Sequence, residues 1–251
     1  MLVHVHRSNG CSPVWESILY TVEKMRGDEM ASRGRPPSLT RAAVLDGAIG
    51  LLDDVGLDAF SMRALGRRLG VDPMAVYSYF PSRTAILDGV VERIFAECRL
   101  PARTGDWRAD AAAVGHAFRR ALLAHPAAIP LMAMRPAVTI DAFEVTEALL
   151  ESLAPAALPP RAALDIAQLL GRLTVGHAIA QAGPPPGADQ DGRERAHAES
   201  AAALPADRFP HLASAYAQGY VIDHDALFAT AVDATLAAVA ESLPENEGAR
   251  R

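Results

Sequence analysis

At 251 residues and 26.6 kDa the chain can bury one large core or two modest ones, and a composition that is half hydrophobic but only 6% aromatic favours helix over sheet, so an all-α fold is expected. A net charge of −6 with a pI near 5.7 excludes nucleic-acid binding over the whole surface, and Cys11 and Cys98, far apart in sequence, exclude a disulfide framework and suit a reducing cytoplasm. Apolar runs break before the roughly 20 residues of a membrane span, and MLVHVHRSNG lacks the h-region of a signal peptide, so neither membrane insertion nor export is expected.

Charge is unevenly spread. Residues 31–83 hold seven Arg against five Asp, whereas residues 84–251 hold fourteen basic against twenty-one acidic side chains, so one end suits phosphates and the other repels them. Residues 1–37 form an extension and arm, expected to be flexible. Met30 opens MASRGRPPSLTR, so either the preceding 29 residues are genuine or the start lies at Met30. Arg33-Gly34-Arg35-Pro36-Pro37 is an arm of the kind that inserts Arg into a narrow A·T minor groove, or else a solvated tail.

From residue 38 to 98 the punctuation marks four helices. Thr40 caps the first, with Val44, Ala48, Leu51, Leu52 and Val55 on one face and Gly56 closing it. Ser61 caps the second, with Ala64, Leu65 and Leu69 inward and Gly70 as its stop. Asp72-Pro73 opens a third over MAVYSYF, ended by Pro81. Ser82 caps a longer fourth with Leu87, Val90, Val91, Ile94 and Phe95 inward. From 99 to 243 the spacing predicts helices at 106–125, 138–153, 160–182 and 223–243 and shorter turns at 127–134 and 210–219, with a mobile Pro- and Gly-rich loop at 183–205. Residues 244–251 are a tail.

SMRALGRRLGVDPMAVYSYF carries the spacing of a helix-turn-helix: Gly66 where two helices approach, Gly70 at the sharp turn, Val71 and Val76 as core anchors. Spacing alone equally fits an α-hairpin inside a bundle. Residues 38–95 in addition resemble, without a gap, the DNA-binding domain of the Tet-repressor family, through Leu69-Gly70-Val71, Tyr77 to Phe80 and Arg83. That resemblance implies a homodimer on a double-stranded DNA operator, its recognition helices about 34 Å apart in successive major grooves.

AFRRALLAHP and MRP within 117–136, and RFPHLASAY with DALFATAVDATLAAV within 208–239, are similar to the C-terminal domain of the tetracycline repressors proper. The pattern departs at two positions. Leu131 stands where those proteins place a magnesium-binding histidine, and Val114 where they place an asparagine, so the resemblance implies an effector other than tetracycline.

The family positions mark Arg63 for a base edge, with bidentate contact to guanine and plain phosphate contact both open, and Tyr77 and Arg83 for phosphates. Thr40, Ser61 and Ser78 join them at the expected interface. Pro73, Met74 and Ala75 occupy the base-facing start of the recognition helix, where apolar groups can touch thymine methyls. Tyr79 is placed with the contacts but fits a core plug equally, and for Phe80 the core reading is preferred.

The dimer is expected through 160–182 and 223–243, the family's four-helix interface, with Gly171, Gly176, Ala178, Ala231, Ala234 and Ala238 permitting close approach and Leu170, Leu173 and Leu236 supplying apolar contact. Phe118, Leu122, Met132, Met134, Phe143 and Leu169 are candidates for a hydrophobic effector pocket, with plain core as the alternative for each. His116, His125, His177, His211 and His224 show no metal spacing, Cys98 reads as a buried inert thiol, and no nucleophile elbow, P-loop or dinucleotide fingerprint occurs. No cofactor, metal or catalysis is expected. The function expected is a repressor released from its operator by a small molecule. The alternatives are a ligand-blind regulator sensing a protein partner and a helical enzyme acting on a small apolar substrate.

Overall fold

A computed structural model describes residues 39–134, 139–183, 199–201 and 203–243, and the arm with Arg33 and Arg35, most of the loop at 183–205 and the tail at 244–251 lie outside them. The described elements are helical: α1 (Arg41–Ala59), α2 (Met62–Leu69), α3 (Pro73–Tyr77), α4 (Arg83–Ala96), α5 (Trp107–Leu123), α6 (Ile129–Met134), α7 (Ile140–Leu153), α8 (Pro160–Ala182), α9 (Pro210–Ala217) and α10 (His224–Ser242), with 3₁₀ turns at Pro126–Ala128 and Ala154–Ala156. None is long and apolar enough to cross a membrane.

The helix starts follow from local hydrogen bonding. Thr40, Ser61 and Ser82 each accept the backbone N–H three residues on, at 3.1, 3.2 and 3.1 Å, and Asp72 accepts that of Met74 at 2.8 Å, satisfying donors that a helix start leaves free. Gly70 ends α2 at φ 68°, in the left-handed region. Gly66 lets α2 pass close to the next segment, since a Cβ there would stand 3.0 Å from the Val71 carbonyl oxygen and 3.2 Å from the Pro73 backbone.

Three details differ from the spacing. Gly56, at φ 74°, breaks α1 without ending it, and the chain makes one more turn to Ala59. Val55 beside this break is 40% exposed instead of facing the core. The third helix stops at Tyr77, after which the Tyr79 and Phe80 amides both bond back to the Val76 carbonyl.

The head (α1 to α4) closes over Val44, Leu52, Leu65, Val76, Phe80 and Ile86, all fully buried; each such side chain stabilises by about 1.5–3 kcal/mol. In the body α5 is central, packed on α7, α8 and α10. The turn Pro126–Ala128 lies against α1, and α4 against α7, so head and body share one continuous apolar cluster.

Candidate functional site

The outward face of the head is built from the short helices. Met74 is 70% exposed and Tyr77 41%, although Val76 between them is fully buried; the core-facing residue fixes the turn and its neighbours project away. Arg63 in the first turn of α2 is exposed, as are Arg67 and Arg68, and Arg68 is tied to Asp54 on α1. Thr40 and Ser61 spend their hydroxyls on caps, and Ser78 donates to the Met74 carbonyl at 3.4 Å. Pro73 and Ala75 are half-buried at the start of α3.

Three side chains are latches inside the head. Arg83 donates Nε–H to the Phe60 carbonyl at 3.1 Å and its second nitrogen to the Leu57 carbonyl at 2.8 Å, with its guanidinium 5.7 Å from the Phe60 ring centre. It thereby satisfies the Phe60 carbonyl at the end of α1 and adds a second donor to that of Leu57, which also accepts the Phe60 N–H at 3.3 Å. Tyr79 donates its hydroxyl to the Leu39 carbonyl, and Arg41 donates to the Tyr79 carbonyl at 3.3 Å while lying 4.1 Å over Phe80. Phe80 is fully buried, the core position preferred for it.

In the body the six candidate pocket residues separate. Phe118 stacks on Phe95 at 5.1 Å and Leu122 is fully buried, both within the core, against which Met132 is packed. Phe143, at 43%, and Leu169, at 48%, face outward. Met134 borders a cleft of about 470 Å³ between head and body, with Leu57, Arg83, Thr84, Leu87, Asp88 and Leu131. Val114 and Leu131, the two departures from the tetracycline-repressor pattern, are buried and apolar.

Of the dimer candidates, Leu170 and Leu236, at 2% and 1% exposure, and Ala178 are committed to the core of this chain and cannot supply contacts to a second copy. The exposed apolar residues of the same helices are Leu164, Leu169 and Ile179 on α8 and Leu227 on α10, beside exposed Gly176, Ala234 and Ala238.

Residues scattered in sequence meet where α5, α8 and α10 join. Phe228 is fully buried, with the rings of His116 and His177 at 5.0 and 5.2 Å and the Arg119 guanidinium at 5.0 Å; His224 lies 5.8 Å from His177. Arg119, 5% exposed, bonds Asp225 at 2.7 Å and also Gln181. Burial first, and the Arg119 charge second, hold His116 and His177 below the usual imidazole range. The sequence signal for this cluster is the i, i+3 spacing that puts His116 and Arg119 on one face of α5. Among the described residues no group of His, Cys, Asp and Glu could hold a metal ion. Burial pushes the Cys98 thiol up to about 11, the state of an unreactive cysteine.

Two family models cover most of the chain. The model for bacterial regulatory proteins of the tetR family matches residues 44–90, and that for the tetracyclin repressor-like C-terminal domain matches residues 100–243. An HTH-type transcriptional regulator of Saccharopolyspora erythraea is 35% identical over 51% of this chain, which spans 54% of that protein's length. The class C tetracycline repressor of Escherichia coli is 31% identical over 67% of the chain and 77% of its own length. Such relatives are named as regulators, not enzymes. Among solved structures, Streptomyces coelicolor ActR in complex with actinorhodin superposes with a TM-score of 0.71 over 84% of this chain and 99% of that one, at 24% identity, a likeness of fold. With a helix-turn-helix head, a helical body and both family models in register along it, the chain belongs to the TetR family of bacterial regulatory proteins.

Proposed function

We propose that this chain is a ligand-released repressor: a homodimer binds a palindromic DNA operator through α2 and α3, and a small hydrophobic molecule held by the body frees it. The observation that carries the reading is the exposed face of Arg63, Met74 and Tyr77 on a head whose own core is complete without them; an exposed tyrosine and methionine on a short helix have little to gain from water. Arg63 reads or positions the duplex and Tyr77 bonds a phosphate. The second copy docks on the outer faces of α8 and α10 through Leu164, Leu169, Ile179 and Leu227. The effector lodges beside Met132 and Met134, with the head–body cleft at its edge, since about 470 Å³ is within the size of small-molecule sites and domain junctions commonly hold them. A molecule there touches α1, α4 and α6 together and favours head spacings that no longer match the grooves; a coupling of about 1–3 kcal/mol suffices.

A gel shift with the DNA upstream of the protein's own gene, at several salt concentrations, tests this. Specific binding that weakens steeply with salt is expected. Binding indifferent to sequence and salt refutes it.

A further inference from the structure

The body reaches the head through the turn Pro126–Ala128, which lies against α1 and begins at His125. The His125 imidazole stands between carboxylates of two different elements. Nε2 is 2.8 Å from Glu97 Oε2 at the end of α4, and Nδ1 is 3.7 Å from Asp53 Oδ2 on α1. Its side chain is 17% exposed, and His125 Nδ1 and Asp53 Oδ1 are both buried without a hydrogen-bond partner. Burial holds the Asp53 carboxyl above the usual range, with His125 pulling it down, Asp54 pushing it up and Arg68 pulling it down.

A neutral imidazole carries one N–H, so it donates to one of these carboxylates and turns a lone pair toward the other; an imidazolium donates to both. At 3.7 Å the Asp53 side is just beyond a hydrogen bond, and a small ring shift closes it. The surrounding charges are otherwise engaged or in solvent. On the head, Asp54 is held by Arg68, and Arg93 reaches Asp46 at 3.4 Å and Glu97 at 3.3 Å. On α5, Arg119 is bonded to Asp225 and Arg120 is exposed. α6 carries no charged residue, and Arg161, Asp165 and Arg172 of α8 are exposed.

We propose that His125 is a proton-dependent clasp and a positioning residue for operator binding: charged, it ties α1 of the head to α4 and to the body, and neutral, it releases α1 and lets the head reorient. The effect on DNA rests on the operator reading above, but the clasp does not. Imidazole is the side chain whose charge changes between about pH 5 and 8, so acid tightens the joint. Acid also loosens the body, because His116 and His177 favour the neutral form; the readout must therefore be local.

The test is amide exchange on the full chain, corrected for intrinsic rates, taking the protection of the Leu51 and Leu52 amides of α1 relative to that of Val114 in α5. In the wild type this ratio is expected to rise about tenfold between pH 8 and pH 6, the size of one charge-assisted hydrogen bond. H125Q, which folds around the same turn but cannot gain a proton, is expected to stay flat, and D53N, which keeps the imidazole but removes its α1 partner, to lose most of the rise. A flat wild-type ratio, or an equal rise in H125Q or D53N, overturns the clasp. The affinity of each variant for a duplex selected from a random pool is then followed over the same pH range, and a wild-type change that H125Q lacks is expected. If the exchange ratio behaves as described and no duplex is bound, the operator reading fails and the clasp stands.

Discussion

Replacing Arg83 separates a structural role from a DNA-binding one. Its two hydrogen bonds run to the Phe60 and Leu57 carbonyls, at 3.1 and 2.8 Å, one half-buried and one exposed. A hydrogen bond to a charged group contributes about 1.5–3 kcal/mol when shielded and less where water competes, so R83A should destabilise the head by about 2 kcal/mol. That is a large share of the 5–15 kcal/mol that holds a domain folded. R83K keeps the positive charge for a phosphate but loses the planar fork that spans two carbonyls, and should recover under half of the stability. Urea unfolding of both variants, with m-values compared to confirm that only stability changed, gives the structural term, and operator affinity well below the unfolding midpoint gives the other. An unchanged midpoint for R83A would refute the clamp. A family-type phosphate contact without a clamp would instead leave R83K fully active and both variants as stable as the wild type.

Three further outcomes follow from the same geometry. R63A is expected to leave unfolding unchanged and to weaken operator binding, with relaxed base preference worth about 1–3 kcal/mol if it reads guanine, and Y77F to lose affinity for all duplexes alike; a selection on randomised operators distinguishes them, and wild-type binding by both would remove α2 and α3 from the interface. Asp110 accepts from the Thr104 backbone and hydroxyl, both at 2.7 Å, and from Gly105 at 3.1 Å, which hold its carboxyl below the usual range. Its stabilisation is therefore complete above the unfolded carboxylate value of about 4 and is lost as pH falls through the lower folded value, so D110N should be less stable than wild type at pH 7 and equal to it in strong acid, as urea midpoints will show. L227D, at a position 49% exposed, should fold normally yet sediment as a monomer with much weaker operator binding, since two tethered heads bind far better than one; an intact dimer would move the interface off α10.

The parts of the fold legible in the sequence are those decided within a few residues. Thr40, Ser61, Asp72 and Ser82 bond two or three positions ahead, Gly66 answers to Val71 and Pro73 a few residues on and Gly70 to its own left-handed turn, and apolar spacing fixed the core face of α4 as Leu87, Val90, Val91, Ile94 and Phe95. Val55 escaped the same logic because the left-handed Gly56 breaks the helical period beside it. The family resemblance marked Arg83 for a phosphate and left Tyr79 open between a DNA contact and a core plug, but their partners, Leu57, Phe60 and Leu39, lie 23 to 40 residues away, and no periodicity reports a carbonyl acceptor at that distance. The same distance hid the Arg119–Asp225 pair, 106 residues apart.

Helix α8 shows most clearly where the pattern becomes ambiguous. It is apolar on more than one side: Leu170 and Ala178 are buried within this chain while Leu164, Leu169 and Ile179 are exposed. Hydrophobic spacing says that such a helix is covered all round but not which side belongs to its own chain. The structure resolves this by burying Leu170 near α5 and Leu236 of α10 in the same core, which transfers any association with a second copy to the exposed residues on the other faces of these helices. An interface assigned from Leu170 and Leu236 would test folding, whereas one assigned from Leu169 and Leu227 tests assembly. A charged substitution at Leu170 buries an unpaired charge in the monomer and says nothing about the dimer, so the exposed positions are the ones on which the operator mechanism must be judged.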